Sequence, residues 1–178
     1  KIKIINIPEG LGGRFGLWGP FSLSALCKIG LNNYNLMLEG AEEIDENFFY
    51  EKNKNNLPLV LSIIDIWHRN FCNYRSRTII PYDYDLRFFI NYIQQLEMES
   101  NGKIFKNSKK NISKTAPITW GSSGSDAQHS FFQFLHQGSD ISPCEFLIGV
   151  NDISKSNSLE RELLLKNCLA QSEALMLG

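Results

Sequence analysis

The 178 residues predict an α/β fold with a largely parallel sheet. Short apolar runs suited to buried strands alternate with longer segments of helical period. Two glycine-rich loops, 10–19 and 121–125, each follow a strand-like run. In parallel sheets ligands sit where loops leave the carboxyl ends of strands, so these loops are the first places to look for a site.

Residues 1–7, KIKIINI, alternate Ile with Lys or Asn as a strand does. The loop EGLGGRFGLWG follows. Pro20 suits a first helical position, and FSLSALCKIG stops at Gly30, a natural helix end. Residues 35–53 read as an amphipathic helix rich in acids. LPLVLSIIDIWHRNF, 57–71, is too apolar for a surface helix and is expected to pack against a sheet. RSRTIIPY is a short strand that ends at Pro81.

Asp83 is the expected N-cap of the next helix. Its apolar stripe, Leu86, Phe89, Ile90, Ile93 and Leu96, runs straight into MESNGK, residues 98–103. Residues 103–116, with Lys103, Lys106, Lys109, Lys110 and Lys114, read as a solvated loop. APITWG is a strand, GSSGSDAQHSFFQFLHQG a loop and then a helix, and CEFLIGV another strand. SLERELLLKNCLAQSEALMLG closes the chain as a long helix.

The formal net charge is −1, with 43% hydrophobic and 21% charged residues. No excess of cations exists to drive nucleic-acid binding by counterion release. Cysteines at 27, 72, 144 and 168 stand too far apart for a zinc ribbon or a CxxC redox motif. Reduced thiols in a cytoplasmic protein are the expectation. No apolar run approaches the roughly 20 residues of a membrane span, and no signal peptide opens the chain. It begins at Lys1 inside a strand-like run and reads as a piece of something longer.

Three side chains draw chemical attention. Glu99 lies where a helix ends before a Ser-Asn-Gly break. The negative end of a helix dipole disfavours an anion by roughly 0.3–1 kcal/mol, too little alone to tune an acid, so a dry pocket must supply the rest. His129 is expected in the first turn of a helix capped by Ser125 or Asp126, where the positive end disfavours imidazolium. A neutral ring can both give and take a proton. His136 is seven residues on, about 10 Å along a helix axis, too far to share a metal ion with His129. His136 and His68 read as structural. Arg14, in GLGGRFG, adds a permanent cation to a backbone that can approach a ligand closely. That glycine pattern fits neither the dinucleotide fingerprint nor a Walker loop.

Together these stretches resemble the glucose-6-phosphate isomerase family. GGRFGLWGPFSLSA is similar to its first signature and IIPYDYDLRFFINYIQQLEMESNGK to its central active-site segment. TWGSSGSDAQHSFFQFLHQG is similar to its histidine segment, and LLLKNCLAQSEALMLG to the helix that follows. The resemblance implies a partial three-layer α-β-α fold of the sugar-isomerase (SIS) type. Residues 1–34 would end a first SIS-type subdomain. Residues 35–178 would supply linker helices and most of a second.

The implied reaction interconverts glucose 6-phosphate and fructose 6-phosphate through a cis-enediol, in glycolysis and gluconeogenesis. Glu99 matches the base that moves a proton between carbons 1 and 2. His129 matches the group assisting ring opening, and Arg14 the arginine facing the enediolate. Gln95 and Gly13 match substrate-binding positions. In a helix Gln95 and Glu99 share a face. The family needs no metal and no cofactor and forms homodimers, so His129 is expected to act in the partner's site.

One position departs from the family: Gly16 stands where a Ser or Thr is usual, two places after Arg14. The family's phosphate-holding loops and its further active-site lysine lie outside these residues, so the 178 residues alone are expected to turn over weakly or not at all. The competing readings are a non-catalytic sugar-phosphate-binding module of this fold, a nicotinamide dehydrogenase, and a protein-interaction role without chemistry.

Overall fold

The computed structural model describes residues 4–103, 105–107, 111–149 and 158–178. They fall into two compact units, Lys1–Ile66 and Trp67–Gly178.

Among its described residues the first unit is helical. Residues 4–7 carry no strand, in contrast to the expectation for 1–7, and residues 1–3 lie outside the described ones. Two short 3₁₀ turns, Gly13–Trp18 and Pro20–Ser22, lead into α1, Leu23–Ile29. Pro20 opens its turn, as its fixed φ favours. Ser22 is buried, with its hydroxyl bonded to the Gly19 carbonyl at 2.7 Å and to the Tyr34 hydroxyl at 3.0 Å. Gly30 turns the chain at φ +82°, a left-handed value, and α2, Leu31–Tyr50, follows.

Asn56 then starts α3, Leu57–Ile66. Its Oδ1 accepts from the Leu59 amide at 3.0 Å, and its Nδ2 donates to the carbonyls of Phe48, 2.8 Å, and Glu51, 3.1 Å. One buried side chain thus caps one helix and closes the end of another. Within its own unit, whose described residues hold no strand, α3 packs on α2 and leaves Leu57, Leu59, Leu61, Ile63, Ile64 and Ile66 exposed.

The second unit carries the predicted sheet. β1, Ser76–Pro81, lies between β4, Ile118–Gly121, and β5, Cys144–Leu147, and both pairings are parallel. The central strand is buried along almost its whole length, and Ile80 and Thr78 are fully shut off. Thr78 survives there because its hydroxyl meets Ser142 Oγ at 2.7 Å. Pro81 ends β1, as a residue without an amide must in a central strand.

Gly121, at φ +152°, closes β4 so near to β1 that an added Cβ would stand 1.9 Å from the Ile79 carbonyl oxygen. Asp83 caps the turn Tyr84–Leu86, its carboxylate accepting from the Asp85 amide at 3.0 Å. α4, Phe89–Ile93, follows and widens into a π-helical segment, Gln94–Glu99. Residues 103–116, expected as a loop, include a small antiparallel hairpin of β2, Phe105–Asn107, and β3, Asn111–Ser113. Strands three residues long are too short for alternation to reveal. Lys109 and Lys110 lie outside the described residues.

Helices cover both faces of the sheet. Arg77, Ile79 and Pro81 alternate with Thr78 and Ile80 along β1. On the Ile80 face, Tyr82, Ala127, Phe132 and Cys168 form the core, from α5, Gly124–Ser130, α6, Phe132–Gln137, and α7, Ser158–Leu177. The Arg77 face receives the π-helical segment. This is the expected helix–sheet–helix layering.

Candidate active site

Glu99 is the last residue of the π-helical segment, and the elements beneath it explain its place. The helix after β1 runs back against the strand direction. Its end therefore lies beside Arg77 and Thr119, near the amino ends of β1 and β4, not at the carboxyl ends where the general rule points. Glu97 makes the attachment. Its Oε2 accepts from Arg77 Nη2 at 2.5 Å and from the Thr119 hydroxyl at 3.2 Å. Arg77 also meets Glu145 Oε1 at 3.3 Å. Gln94 donates to the Thr119 carbonyl at 2.9 Å, giving the edge strand β4 a partner it would otherwise lack there.

A helix turns about 100° per residue, so Glu97 points to the sheet while Gln95 and Glu99 share the outward side. Both are exposed in this chain. The dry surroundings that proton abstraction asks of Glu99 are not supplied by the residues around it in its own unit.

His129 sits differently from the expectation. The N-cap position of α5 is Ser123, not Ser125 or Asp126, and its hydroxyl donates to the Asp126 carboxylate at 2.6 Å and to no helix amide. It starts at Gly124, under the Tyr82 ring, where a Cβ would stand 2.4 Å from ring carbons. Only glycine fits there, and the helix begins earlier than the polar caps suggested. His129 is thus the sixth helical residue, in the last turn and exposed, beyond reach of the positive helix end. The helix then breaks at Phe131 before α6. Tyr82 beneath it takes a hydrogen bond from Gln128 Nε2 at 2.8 Å, while burial, the larger influence, pushes its hydroxyl pKa up.

Glu99 and His129 belong to opposite layers. The helix of Glu99 is fixed to the Arg77 face, and α5, through Ala127, is fixed to the Ile80 face. One copy of the unit therefore has the sheet between the two helices. Two hollows of this unit, one of 260 Å³ by Tyr82, Asp83 and Arg161 and one of 740 Å³ by Arg75, Trp120 and Asp140, are lined by neither residue.

Arg14 lies in the first unit, second in its 3₁₀ turn after Gly13, which holds φ +54°. The Arg14 Nε is shut off from solvent and has no hydrogen-bond partner among the described residues. His68 tilts against Tyr74 and His136 stands edge-on to Phe132, both packing roles. No group of three His, Cys, Asp or Glu side chains able to hold a metal ion occurs among the described residues.

Sequence reasoning missed Glu97, Arg77 and Thr119. The available signal was Arg77 itself, a charge within the apolar strand RTIIP that needs a buried counter-ion.

The chain is similar to known proteins along its whole length. Residues 1–178 match the phosphoglucose isomerase family. The glucose-6-phosphate isomerase of Xanthobacter autotrophicus is 45% identical over 99% of this chain. That of Ruegeria pomeroyi is 41% identical over 99%. The chain spans 32% and 33% of those two proteins. A glucose-6-phosphate isomerase of Chlamydia trachomatis superposes with TM-score 0.80 at 36% identity, covering 95% of this chain and 34% of that one. A hypothetical protein of Thermus thermophilus shares the fold, with TM-score 0.74 at 20% identity, covering 95% of this chain and 42% of that one. The match over residues 1–178 places the chain in the phosphoglucose isomerase family.

Proposed function

We propose that these residues supply the proton-transfer part of a glucose-6-phosphate isomerase. Ring opening, assisted by His129, frees the carbonyl of the sugar phosphate. The Glu99 carboxylate takes the proton from carbon 2, a proton passes from the carbon-2 hydroxyl to the carbon-1 oxygen, and Glu99 returns its proton to carbon 1, leaving the ketone at carbon 2. Between the two steps the enediolate oxygen carries negative charge, and the Arg14 guanidinium faces it. Gln95, on the same helical side as Glu99, and Gly13, beside Arg14, bind the substrate. The reaction belongs to glycolysis and gluconeogenesis in the cytoplasm. The four unpaired thiols support a reducing compartment, and no described helix is long and apolar enough to cross a membrane.

The observation that carries this reading is the attachment of Glu97 to Arg77 and Thr119, which holds the helix to the sheet and turns Gln95 and Glu99 outward together. The layer separation of Glu99 and His129 supports a homodimer in which His129 completes the partner's site. The exposure of Glu99 favours one rival, a sugar-phosphate-binding module without catalysis.

The test exchanges this chain for the matching third of the Xanthobacter autotrophicus relative. The folded chimera is expected to isomerise, and Glu99→Gln to cut kcat by about 10²–10⁴-fold. A folded but inactive chimera, restored by the relative's own segment, overturns the catalytic reading. Unchanged turnover in Glu99→Gln installs the binding module instead.

A further inference from the structure

The second unit holds two π-helical segments, Trp67–Phe71 and Gln94–Glu99, and the second of them carries Glu99. Such turns are rare, and contacts from outside the helix help to hold this one open. The side chains that do so are on its inner face. Glu97 meets Arg77 at 2.5 Å and Thr119 at 3.2 Å, and Gln94 reaches the Thr119 carbonyl.

The Arg77 side chain is only 10% exposed, and that of Glu97 26%. A half-exposed second acid, Glu145, completes the group. Arg77 and Thr119 are directly paired across β1 and β4, so their side chains leave the same face of the sheet side by side. The turn is thereby clamped to two adjacent strands at once, two residues before Glu99 and two after Gln95.

We propose that Glu97, with Arg77 and Thr119, is a positioning element that fixes where the Glu99 carboxylate stands over the substrate. The proposal rests on the isomerase reading of Glu99. Glu97 touches no substrate. It acts by holding the π-turn, so that Gln95 and Glu99 keep a fixed mutual position on the outer side. Misplacing a reacting group by an ångström costs about 10²-fold in rate, so loosening the clamp shows in turnover before it shows in binding.

Charge makes Glu97→Gln a fair test. Arg77 faces two carboxylates, and removing the charge of one leaves a balanced pair with Glu145, so the sheet keeps its buried arginine neutralised. Thr119→Val is milder, since it deletes only the hydroxyl that bonds Glu97.

Two measurements decide it. In the 178-residue chain, amide hydrogen exchange of residues 96–101 in Glu97→Gln is expected to quicken about tenfold or more, with the Thr78–Ile80 amides unchanged. In the Xanthobacter chimera, Glu97→Gln is expected to lower kcat about tenfold with KM within about twofold, Thr119→Val to lower it about threefold, and Glu97→Asp to recover part of the loss. Exchange that stays at the parent rate overturns the clamp. Faster exchange with unchanged kcat makes it a structural tie and overturns the positioning role. An inactive parent chimera strikes down the isomerase reading instead, and the exchange experiment still judges the clamp by itself.

Discussion

In the second unit Ile80 is fully shut off in the middle of β1, with helices on either face of the sheet. In the first unit Ile63, on α3, is 56% exposed although its helix is the more apolar stretch of sequence. Identical side chains thus do different work. The second unit is held by burial of apolar surface around a sheet. The first is held by helix ends and polar ties: Asn56 across α2 and α3, Asn47 on the Leu57 amide, and Ser22 on Gly19 and Tyr34. The lesson is that an apolar run shows that a segment wants cover and does not show which element covers it.

The largest expected effect tests this contrast directly. Ile80→Ala is expected to destabilise the second unit by about 2–5 kcal/mol, since it leaves a cavity between packed layers. Ile63→Ala should change stability by about 0.5 kcal/mol or less, as for other exposed sites. Urea unfolding of the 178-residue chain compares the two. Equal costs would mean that the first unit hides its apolar helix in solution, and the contrast would fail.

Asn56→Ala comes next. It removes the cap on Leu59 and two bonds to carbonyls, all from a buried side chain, and is expected to cost about 1–3 kcal/mol. The loss should appear in the exchange rates of the α3 amides while those of β1 stay unchanged. Uniform loosening of both units would show that they do not unfold as separate bodies.

The same contrast marks what the sequence discloses. For the strands of the second unit and the helix after β1, local pattern and tertiary environment agree. RSRTIIPY, APITWG and CEFLIGV hold the strands Ser76–Pro81, Ile118–Gly121 and Cys144–Leu147, and Asp83 caps the turn that leads into α4. MESNGK and the Gln95–Glu99 spacing were legible because they are local. Where contacts made far along the chain decide, local pattern misled. Gly124 starts α5 under the Tyr82 ring, so its N-cap falls at Ser123, two residues before the expected Ser125. The π-turn depends on Arg77, 20 residues upstream of Glu97, and on Thr119, 22 downstream. No periodicity within the helix announces either partner. The apolar stretch 57–71 asks for cover, but hydrophobicity has magnitude along the chain and no address; within its own unit α3 meets α2.

The smallest expected effects concern the thiols and alkaline pH. Cys27, in the first unit, is exposed, whereas Cys144 and Cys168, in the second, are drawn into its core. Burial raises the pKa of both core thiols above the ordinary 9.0. For Cys144 a hydrogen bond with Thr78 offsets part of that rise. Only a thiolate alkylates, so at pH 8 iodoacetamide is expected to modify Cys27 well before Cys144 or Cys168.

The same shifts set a direction for stability. In the folded chain these thiols hold their protons more tightly than in the unfolded one. The stabilisation is complete below pH 9 and is lost as pH climbs through the raised folded values, joined above pH 10 by Tyr82. Urea midpoints measured from pH 7.5 upward should therefore fall in the alkaline range for the second unit before the first. Peptide mapping that finds Cys168 alkylated as fast as Cys27 in the folded chain would mean that the core around Ile80, Tyr82 and Phe132 opens readily. The division between a unit held by burial and one held by polar ties would then lose its basis.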